Sequence, residues 1–321
     1  MQFRTPIPIS ESPFLIDYNA SIVSVGSCFA ENMAEKFTYY KFPNCCNPFG
    51  IIFNPKSIER LLQRVVDKEY FAEKDIFFYN DLWHCFEVHS ELSNPDKEAF
   101  LNSLNRLVDS TNKQITEATH FLFTYGTAWV YRNIESNQIV ANCHKVPQKQ
   151  FTKELLTVET IQTAIKNTIS LIQSVNPEAK FTFTVSPVRH IKDGFVENTL
   201  SKAHLISAIH SAHPDSYRDS QLITYSYFPS YEIMMDELRD YRFYAEDMLH
   251  PNQLAIDYIW QCFKESSISK SALELMEEIG AIQKALSHRS FNPQSESHQK
   301  FVAKLQIRIA NLSAKYPFIK F

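Results

Sequence analysis

The sequence predicts an α/β protein in which helices cover both faces of a parallel sheet. Apolar runs rich in β-branched and aromatic residues alternate with segments of helical periodicity, and the chain of 321 residues is 44% hydrophobic, enough to bury a large core. From Lys270 onward the pattern changes, because two apolar stripes of helical spacing follow each other without a strand signal. These stripes predict a C-terminal helical hairpin.

The first strand-to-helix unit is the segment SIVSVGSCFAENMAEKF at residues 21–37. The β-branched residues of IVSV favour a buried strand. The residues that follow Cys28 are mostly good helix formers. The chain therefore turns from strand into helix at Ser27, a small residue that carries a hydroxyl group.

Three helix–strand pairs continue this alternation, and a last helix closes the sheet. Pro251 is predicted as the first residue of that last helix, because proline is favoured at this position. The predicted pairs are helix 96–115 with strand 119–126, helix 158–175 with strand 180–187, and helix 197–212 with strand 221–228, followed by the closing helix 252–263.

Two antiparallel hairpins are predicted to interrupt the alternation. Residues 75–88 have the pattern of a hairpin that turns at Asn80–Asp81, and residues 129–145 have that of another that turns near residues 135–137. We expect residues 1–268 to form the sheet domain and residues 269–321 to form a helical extension packed on it. Apolar stripes alone do not choose between this packing and a dimer, so the oligomeric state stays open.

Charge and composition argue against several classes of protein. The net charge is −4 and no dense Lys/Arg stripe occurs, which argues against a nucleic-acid partner. No apolar run is long enough to span a bilayer, and the first twenty residues lack the continuous apolar stretch of a signal peptide. Six thinly spread cysteines are typical of reduced thiols, so a cytoplasmic location is expected.

Two His/Cys pairs raise the question of a metal site. His84–Cys85 and Cys143–His144 have neither C-x-x-C nor H-x-x-x-H spacing. A zinc site built from them is one interpretation, and separate core and surface residues are the more common outcome for such pairs. We expect no metal and no organic cofactor.

Ser27 is the first candidate for chemistry, because ligands of open α/β sheets bind at the carboxyl ends of the strands. The free N–H groups at the start of the following helix favour negative charge beside it. A serine at a helix start is also a preferred N-cap, and this segment alone favours the N-cap over catalysis.

A serine nucleophile needs a base, and the base needs an acid that orients it. Only the late stretch AEDMLHPN offers both, with Asp247 and His250 three residues apart and so able to face the same side. One such D-x-x-H match is expected by chance in a chain of roughly this size, and a surface aspartate beside a capping histidine is the alternative. The position after the last predicted strand adds weight, because a second strand-end loop must lie there.

These two segments carry a resemblance to a known family. GSCFAENMAEKF resembles the motif that gives the GSCFA family its name, and that family is similar to the SGNH (GDSL-like) hydrolases. The blocks NPFGIIFNP, TYGTAWVY, ANCHKVP, TVSPVRH and AEDMLHPN follow in the family's order, so the resemblance covers about residues 1–265. It implies a three-layer α/β/α, flavodoxin-like fold and a catalytic domain with Ser27 as nucleophile, His250 as base and Asp247 as its orienter.

The resemblance also implies an oxyanion hole, with one departure. The backbone N–H groups of Ser27 and Gly50 would be two donors. In SGNH enzymes a third donor is an asparagine side chain two residues after the glycine of the third block, and that position is Ala128 here. In another enzyme, loss of one oxyanion-hole donor costs about 2.7–4 kcal/mol of transition-state stabilisation. Either another group therefore replaces the asparagine here, or the reaction is slow. The replacements that the sequence offers are Thr127, Asn142 and His144.

Neighbouring residues give further candidates. Cys28 could be a nucleophile, since thiols at helix starts can have a lowered pKa. Successive side chains of a helix differ by about 100° around its axis, so the Cys28 side chain projects in a different direction from that of Ser27. We expect it to pack beneath the helix. Arg189 and His190 follow a predicted strand and are candidates for substrate binding, as is His144; a solvated loop is an equal interpretation of the segment. Asn198, Ser201 and Lys202, at the opening of the next helix, are further binding candidates.

The expected function is that of a serine esterase or acyl hydrolase. It would act on small O-acyl esters, acylated carbohydrate among them, through an acyl-enzyme. Two alternatives stay open. One is an O-acyltransferase with the same triad, because both reactions share that intermediate. The other is a binding or scaffold protein with weak catalysis, which Ala128 favours.

Overall fold

A parallel sheet forms the centre of the protein, as shown by a computed structural model that describes residues 5–212, 225–288 and 291–321. Its five strands run in the spatial order β10-β9-β5-β1-β2, and every neighbouring pair is parallel. Counted along the chain, this order is 2-1-3-4-5, that of a flavodoxin-like doubly wound sheet. The strands are β1 (Ile22–Gly26), β2 (Asn44–Cys46), β5 (His120–Tyr125), β9 (Lys180–Val185) and β10 (Tyr225–Phe228).

Helices cover both faces of this sheet, which confirms the predicted fold class. On one face α4 contacts α2, α3 and α5, and α2 also contacts α3; on the other face α1 contacts α7. The helices are α1 (Cys28–Tyr39), α2 (Pro55–Val66), α3 (Lys97–Glu117), α4 (Val158–Val175), α5 (Phe195–Ala212), the short α6 (Ser230–Glu232) with a π-helical turn over Ile233–Leu238, α7 (Gln253–Ser267), α8 (Lys270–Ser287) and α9 (Glu296–Lys315).

The central strands are buried on both faces and divide the core into two clusters. Phe121 and Phe123 face the cluster beneath α2–α5, whereas Leu122 faces the cluster beneath α1 and α7. Successive side chains of a strand point to opposite faces, which explains this alternation. The two-sided burial also explains why β1 and β5 contain no lysine, arginine, aspartate or glutamate.

Both predicted hairpins are present, and the second is larger than expected. β3 (Phe77–Tyr79) and β4 (Leu82–His84) pair antiparallel, and the turn residues Asn80 and Asp81 have φ of +47° and +61°. Positive φ at both central residues is the geometry of a type I′ turn. In the second, β6 (Trp129–Asn133) pairs with β7 (Ile139–Val140) and also with β8 (Phe151–Leu155), a strand that the sequence did not predict.

The start of α7 differs from the prediction. The helix begins at Gln253 and its N-cap is Asn252, whose side chain accepts a hydrogen bond from the Ala255 N–H. Pro251 forms an isolated bridge with Tyr244 and therefore belongs to the preceding loop. The prediction of Pro251 as the first helical residue is wrong, because the asparagine that follows it, Asn252, provides the cap. Of the predicted strand 221–228, residues 221–224 lie outside the described residues.

The C-terminal helices α8 and α9 pack on each other through a separate apolar cluster. α8 also contacts the end of α1, where the Gln283 side chain donates a hydrogen bond to the Tyr39 carbonyl oxygen at 2.9 Å. No helix in the described parts of the chain is long and apolar enough to cross a membrane.

Candidate functional site

The carboxyl edge of the sheet is the place where this fold binds ligands. The strand order reverses between β1 and β5, so the loops after these two strands flank the switch point. Ser27 follows β1 and Gly126 follows β5, and the loop after β9 lies beside them. The residues that the sequence singled out at strand ends therefore converge on one edge.

Ser27 caps α1 and is buried. Its hydroxyl oxygen accepts a hydrogen bond from the Phe29 N–H at 3.3 Å, and the residue is only 1% exposed. Its backbone N–H donates to the Thr124 carbonyl oxygen at 3.1 Å, which continues the pairing of β1 with β5. The predicted oxyanion donor at Ser27 thus has an intramolecular acceptor in this structure.

Gly26 sets the position of Ser27. It has φ of +154°, its N–H donates to the Asn47 side-chain oxygen at 2.8 Å, and a Cβ at this position would overlap the Thr124 carbonyl oxygen. Only glycine allows β1 and β5 to approach this closely in that conformation.

Replacing Gly26 with alanine is expected to lower the free energy of unfolding by at least about 2 kcal/mol, because strain and the clash with Thr124 add. Chemical denaturation measures this loss. Gly280→Ala is the matched control, since it lies inside α8 and its Cβ would meet only the end of the Tyr40 side chain at 3.3 Å. It should stay within about 1 kcal/mol of the wild type. Equal stability of both variants would contradict the close approach at Gly26.

The structure brings Asp247 and His250 together. Asp247 Oδ2 lies 2.5 Å from His250 Nδ1, and Asp247 Oδ1 accepts hydrogen bonds from the backbone N–H groups of Leu249 and His250 at 2.9 and 3.0 Å. These two backbone bonds, together with the His250 ring, lower the pKa of Asp247 to about 2. The carboxylate therefore fixes the ring through Nδ1. The His250 side chain is 49% exposed, and its Nε2 has no hydrogen-bond partner among the described residues.

Ser27 and His250 share no hydrogen bond in the described chain, and the elements that carry them are linked through the strand ends between them. The Ser27 N–H binds the end of β5, and Lys202 joins the ends of β5 and β9. Arg189, in the loop after β9, donates to the Met248 carbonyl oxygen in the loop that carries His250. Within the described residues, the Ser27 hydroxyl has its one hydrogen bond with the Phe29 N–H.

The other predicted oxyanion donors also have partners. The Gly50 N–H donates to the Asn47 carbonyl oxygen at 2.8 Å. The Thr127 hydroxyl lies 3.0 Å from the Ser201 hydroxyl and accepts from the Trp129 N–H. Ala128, where SGNH enzymes have asparagine, is fully buried and its N–H donates to Ser201.

Asn142 and His144 lie in the second hairpin region. The Asn142 side-chain oxygen accepts from the His144 N–H at 2.8 Å, and His144 Nε2 lies 2.7 Å from the Cys85 carbonyl oxygen. Burial lowers the pKa of His144 to about 4, so its ring is neutral. His144 is thus a structural partner of the first hairpin in this structure.

The two His/Cys pairs pack against each other. The rings of His84 and His144 are 4.7 Å apart. Both ring nitrogens of His84 have partners, the Ser93 hydroxyl at 2.6 Å and the Tyr79 carbonyl oxygen at 3.0 Å. Over the described ranges, no group of three or more His, Cys, Asp or Glu side chains is placed to hold a metal ion.

Arg189 and His190 have different environments. The Arg189 guanidinium lies over the rings of Tyr241 and Tyr244 and donates to the Met248 carbonyl oxygen. The His190 ring stacks on Phe53, and its Nε2 is buried without a partner in the described structure. Burial, with the charges of Lys202 and His250, lowers the pKa of His190 to about 3. A neutral imidazole therefore borders the site.

Lys202 is the least expected member of this edge. Its Nζ is fully buried and donates to the carbonyl oxygens of Gly126 and Ser186 at 2.7 and 2.8 Å. Burial lowers its pKa to about 7. Lys202 therefore connects the ends of β5 and β9. The sequence indicated Lys202 only as a binding candidate at the start of a helix, because no local pattern distinguishes a buried lysine from an exposed one. Asn198 was a similar candidate, and its side-chain oxygen accepts a hydrogen bond from the His190 N–H.

Cys28 is half-buried at the first position of α1. Burial, followed by the charge of Glu31, raises its pKa, so the thiol is protonated at neutral pH. A thiolate nucleophile would need the opposite shift.

These features define a class: a doubly wound, flavodoxin-like α/β protein in which a serine caps the helix after the first strand and an Asp–His pair lies in the loop before α7. The model of the GSCFA family matches residues 21–263, and that of the C-terminal domain of GSCFA domain proteins matches residues 279–321. The chain belongs to the GSCFA family. A search of curated proteins finds no match.

Proposed function

We propose that this protein is a serine esterase that hydrolyses small O-acyl esters, acylated sugars among them. The observation that carries the proposal is the Asp247–His250 pair, in which the carboxylate holds Nδ1 of an exposed histidine and leaves Nε2 without a hydrogen-bond partner among the described residues. A carboxylate on Nδ1 fixes the tautomer in which Nε2 accepts a proton.

The thinly spread cysteines favour a cytoplasmic location.

In the proposed reaction the Ser27 oxygen attacks the acyl carbonyl while its proton passes to His250 Nε2. His250 then gives that proton to the leaving alcohol, and water attacks the acyl-enzyme by the same path. Ser27 has to rotate away from the Phe29 N–H to do this. The rotation frees an N–H at the start of α1, and donors at a helix N-terminus favour the negative oxygen that forms. This is how we propose that the chain manages without the third-block asparagine.

Labelling with a fluorophosphonate probe tests the nucleophile. We expect one label per chain in the wild type, none in Ser27→Ala, and full labelling in Cys28→Ala, because burial keeps the Cys28 thiol protonated. Turnover of a panel of acetylated sugars and short aryl esters should follow the labelling. Labelling that survives in Ser27→Ala and disappears in Cys28→Ala would make the thiol the nucleophile and contradict the proposal.

Two alternatives are separated by the same assays. An O-acyltransferase would label at Ser27 and transfer the acyl group to an added acceptor hydroxyl faster than to water. A binding or scaffold protein is favoured by one observation: Ser27 is buried, and the backbone N–H groups of Ser27 and Gly50 are both engaged. Wild-type protein without label or turnover on the whole panel would support that function.

A further inference from the structure

We propose that Arg189 is a positioning residue that holds the loop carrying Asp247 and His250 against the loop after β9. The expected effect of Arg189 on catalysis rests on the proposed function. The anchoring of the loop by Arg189 does not depend on it.

The contacts of the Arg189 guanidinium are with one segment. Its Cζ lies 4.8 Å from the centre of the Tyr244 ring and 5.8 Å from that of Tyr241, and its Nη2 donates to the Met248 carbonyl oxygen. Over the described ranges it forms no ion pair with a carboxylate. A planar guanidinium that stacks on rings and donates along its edge suits this arrangement better than an ammonium group does.

The anchored loop is closed at its base and weakly held at its tip. Tyr244 and Pro251 form a bridge, and the Ala245 N–H donates to the His250 carbonyl oxygen at 2.8 Å. Residues 245–250 otherwise hydrogen-bond only to one another in the described chain, apart from the bond that Arg189 donates. Arg189 is therefore the hydrogen-bonding link between this segment and another part of the fold.

The hydrogen bond from Arg189 is made to Met248, the residue of the loop with a strained backbone conformation. Met248 has φ of +59° and is 47% exposed, and this left-handed conformation is unfavourable for a residue with a side chain. In the chain, Met248 lies between Asp247 and Leu249. The Asp247 carboxylate accepts hydrogen bonds from the backbone N–H groups of Leu249 and His250. Holding the Met248 carbonyl therefore maintains the turn that points the carboxylate at the His250 ring.

Hydrogen exchange tests the anchor without any substrate. In Arg189→Met, which keeps the long apolar stem and removes the guanidinium, the amides of residues 245–250 should exchange about tenfold faster than in the wild type, and those of α4 should not change. Arg189→Lys should fall between the two. Arg242→Met is the matched control, because Arg242 belongs to the same loop but its exposed side chain pairs with Asp240. It should leave the exchange of residues 245–250 unchanged.

Kinetics then separate positioning from substrate binding. With an ester that the wild type hydrolyses, kcat of Arg189→Met should fall about 10-fold to 100-fold while KM stays within about twofold, since a misplaced base slows the chemical step. Unchanged exchange in Arg189→Met overturns the proposal, as does a raised KM with unchanged kcat, which would assign Arg189 to the substrate. Faster exchange in a protein without any turnover would support the anchor and refute only the proposed esterase.

Discussion

His250→Gln is expected to lower ester turnover by about 10⁴-fold to 10⁶-fold, because glutamine cannot accept the Ser27 proton. Asp247→Asn should cost about 10⁴-fold, since an amide NH₂ facing Nδ1 favours the wrong tautomer of the ring. The measurement is kcat/KM on the best ester of the panel. His288→Gln, at an exposed position of the C-terminal extension, should match the wild type.

The pH dependence of the pair has a defined sign. The pKa of Asp247 is lowered to about 2, so its contribution to the loop is fully present above the ordinary pKa of an aspartate and is lost as the pH falls through about 2. The exchange protection of residues 245–250 should therefore persist at pH 4. Loss of that protection at pH 5 to 6, or near wild-type turnover in His250→Gln, would contradict the assignment of the pair.

Lys202→Met is expected to have the largest effect on stability. It leaves the Gly126 and Ser186 carbonyl oxygens buried without a donor, which should lower the free energy of unfolding by about 3 kcal/mol. Urea unfolding measures the change. Lys166→Met removes an exposed lysine of α4 and should stay within about 0.5 kcal/mol of the wild type.

The free energy of unfolding that Lys202→Met loses should grow with pH. The pKa of Lys202 is lowered to about 7 in the folded protein, and a neutral amine still has two N–H groups for its two carbonyl partners. Between pH 7 and about 10.4, an unfolded chain keeps a proton that the folded chain has released, so folding gains stability from this group as the pH rises. Lys202→Met lacks that gain, and its deficit should be larger at pH 9 than at pH 6.5. A deficit below about 1 kcal/mol that does not change with pH would contradict the buried donor.

Local interactions account for what was predictable in the site. Asp247 and His250 are three residues apart, so a single turn brings them together, and the N-cap role of Ser27 depends only on the start of α1. The turn at Asn80–Asp81 is similarly local. In contrast, the first residue of α7 was misassigned because proline and asparagine both mark helix starts, and only the Asn252 cap is formed. The strand β8 was missed because FTKEL carries little apolar alternation.

The sequence by itself determined the alternation of β1, β5, β9 and β10 with the helices between them, the place of Ser27 at a strand end, and the Asp247–His250 pair, because periodicity, capping and short spacing act within a few residues. It did not indicate β2, α2 or β8. Only the tertiary structure decided that the Ser27 N–H meets the Thr124 carbonyl, that Lys202 binds a carbonyl 76 residues away, and that Arg189 reaches a loop 59 residues away. Such partners depend on which strands become neighbours in the sheet and in what register. Those relations follow from packing of the whole core, and no local pattern records them.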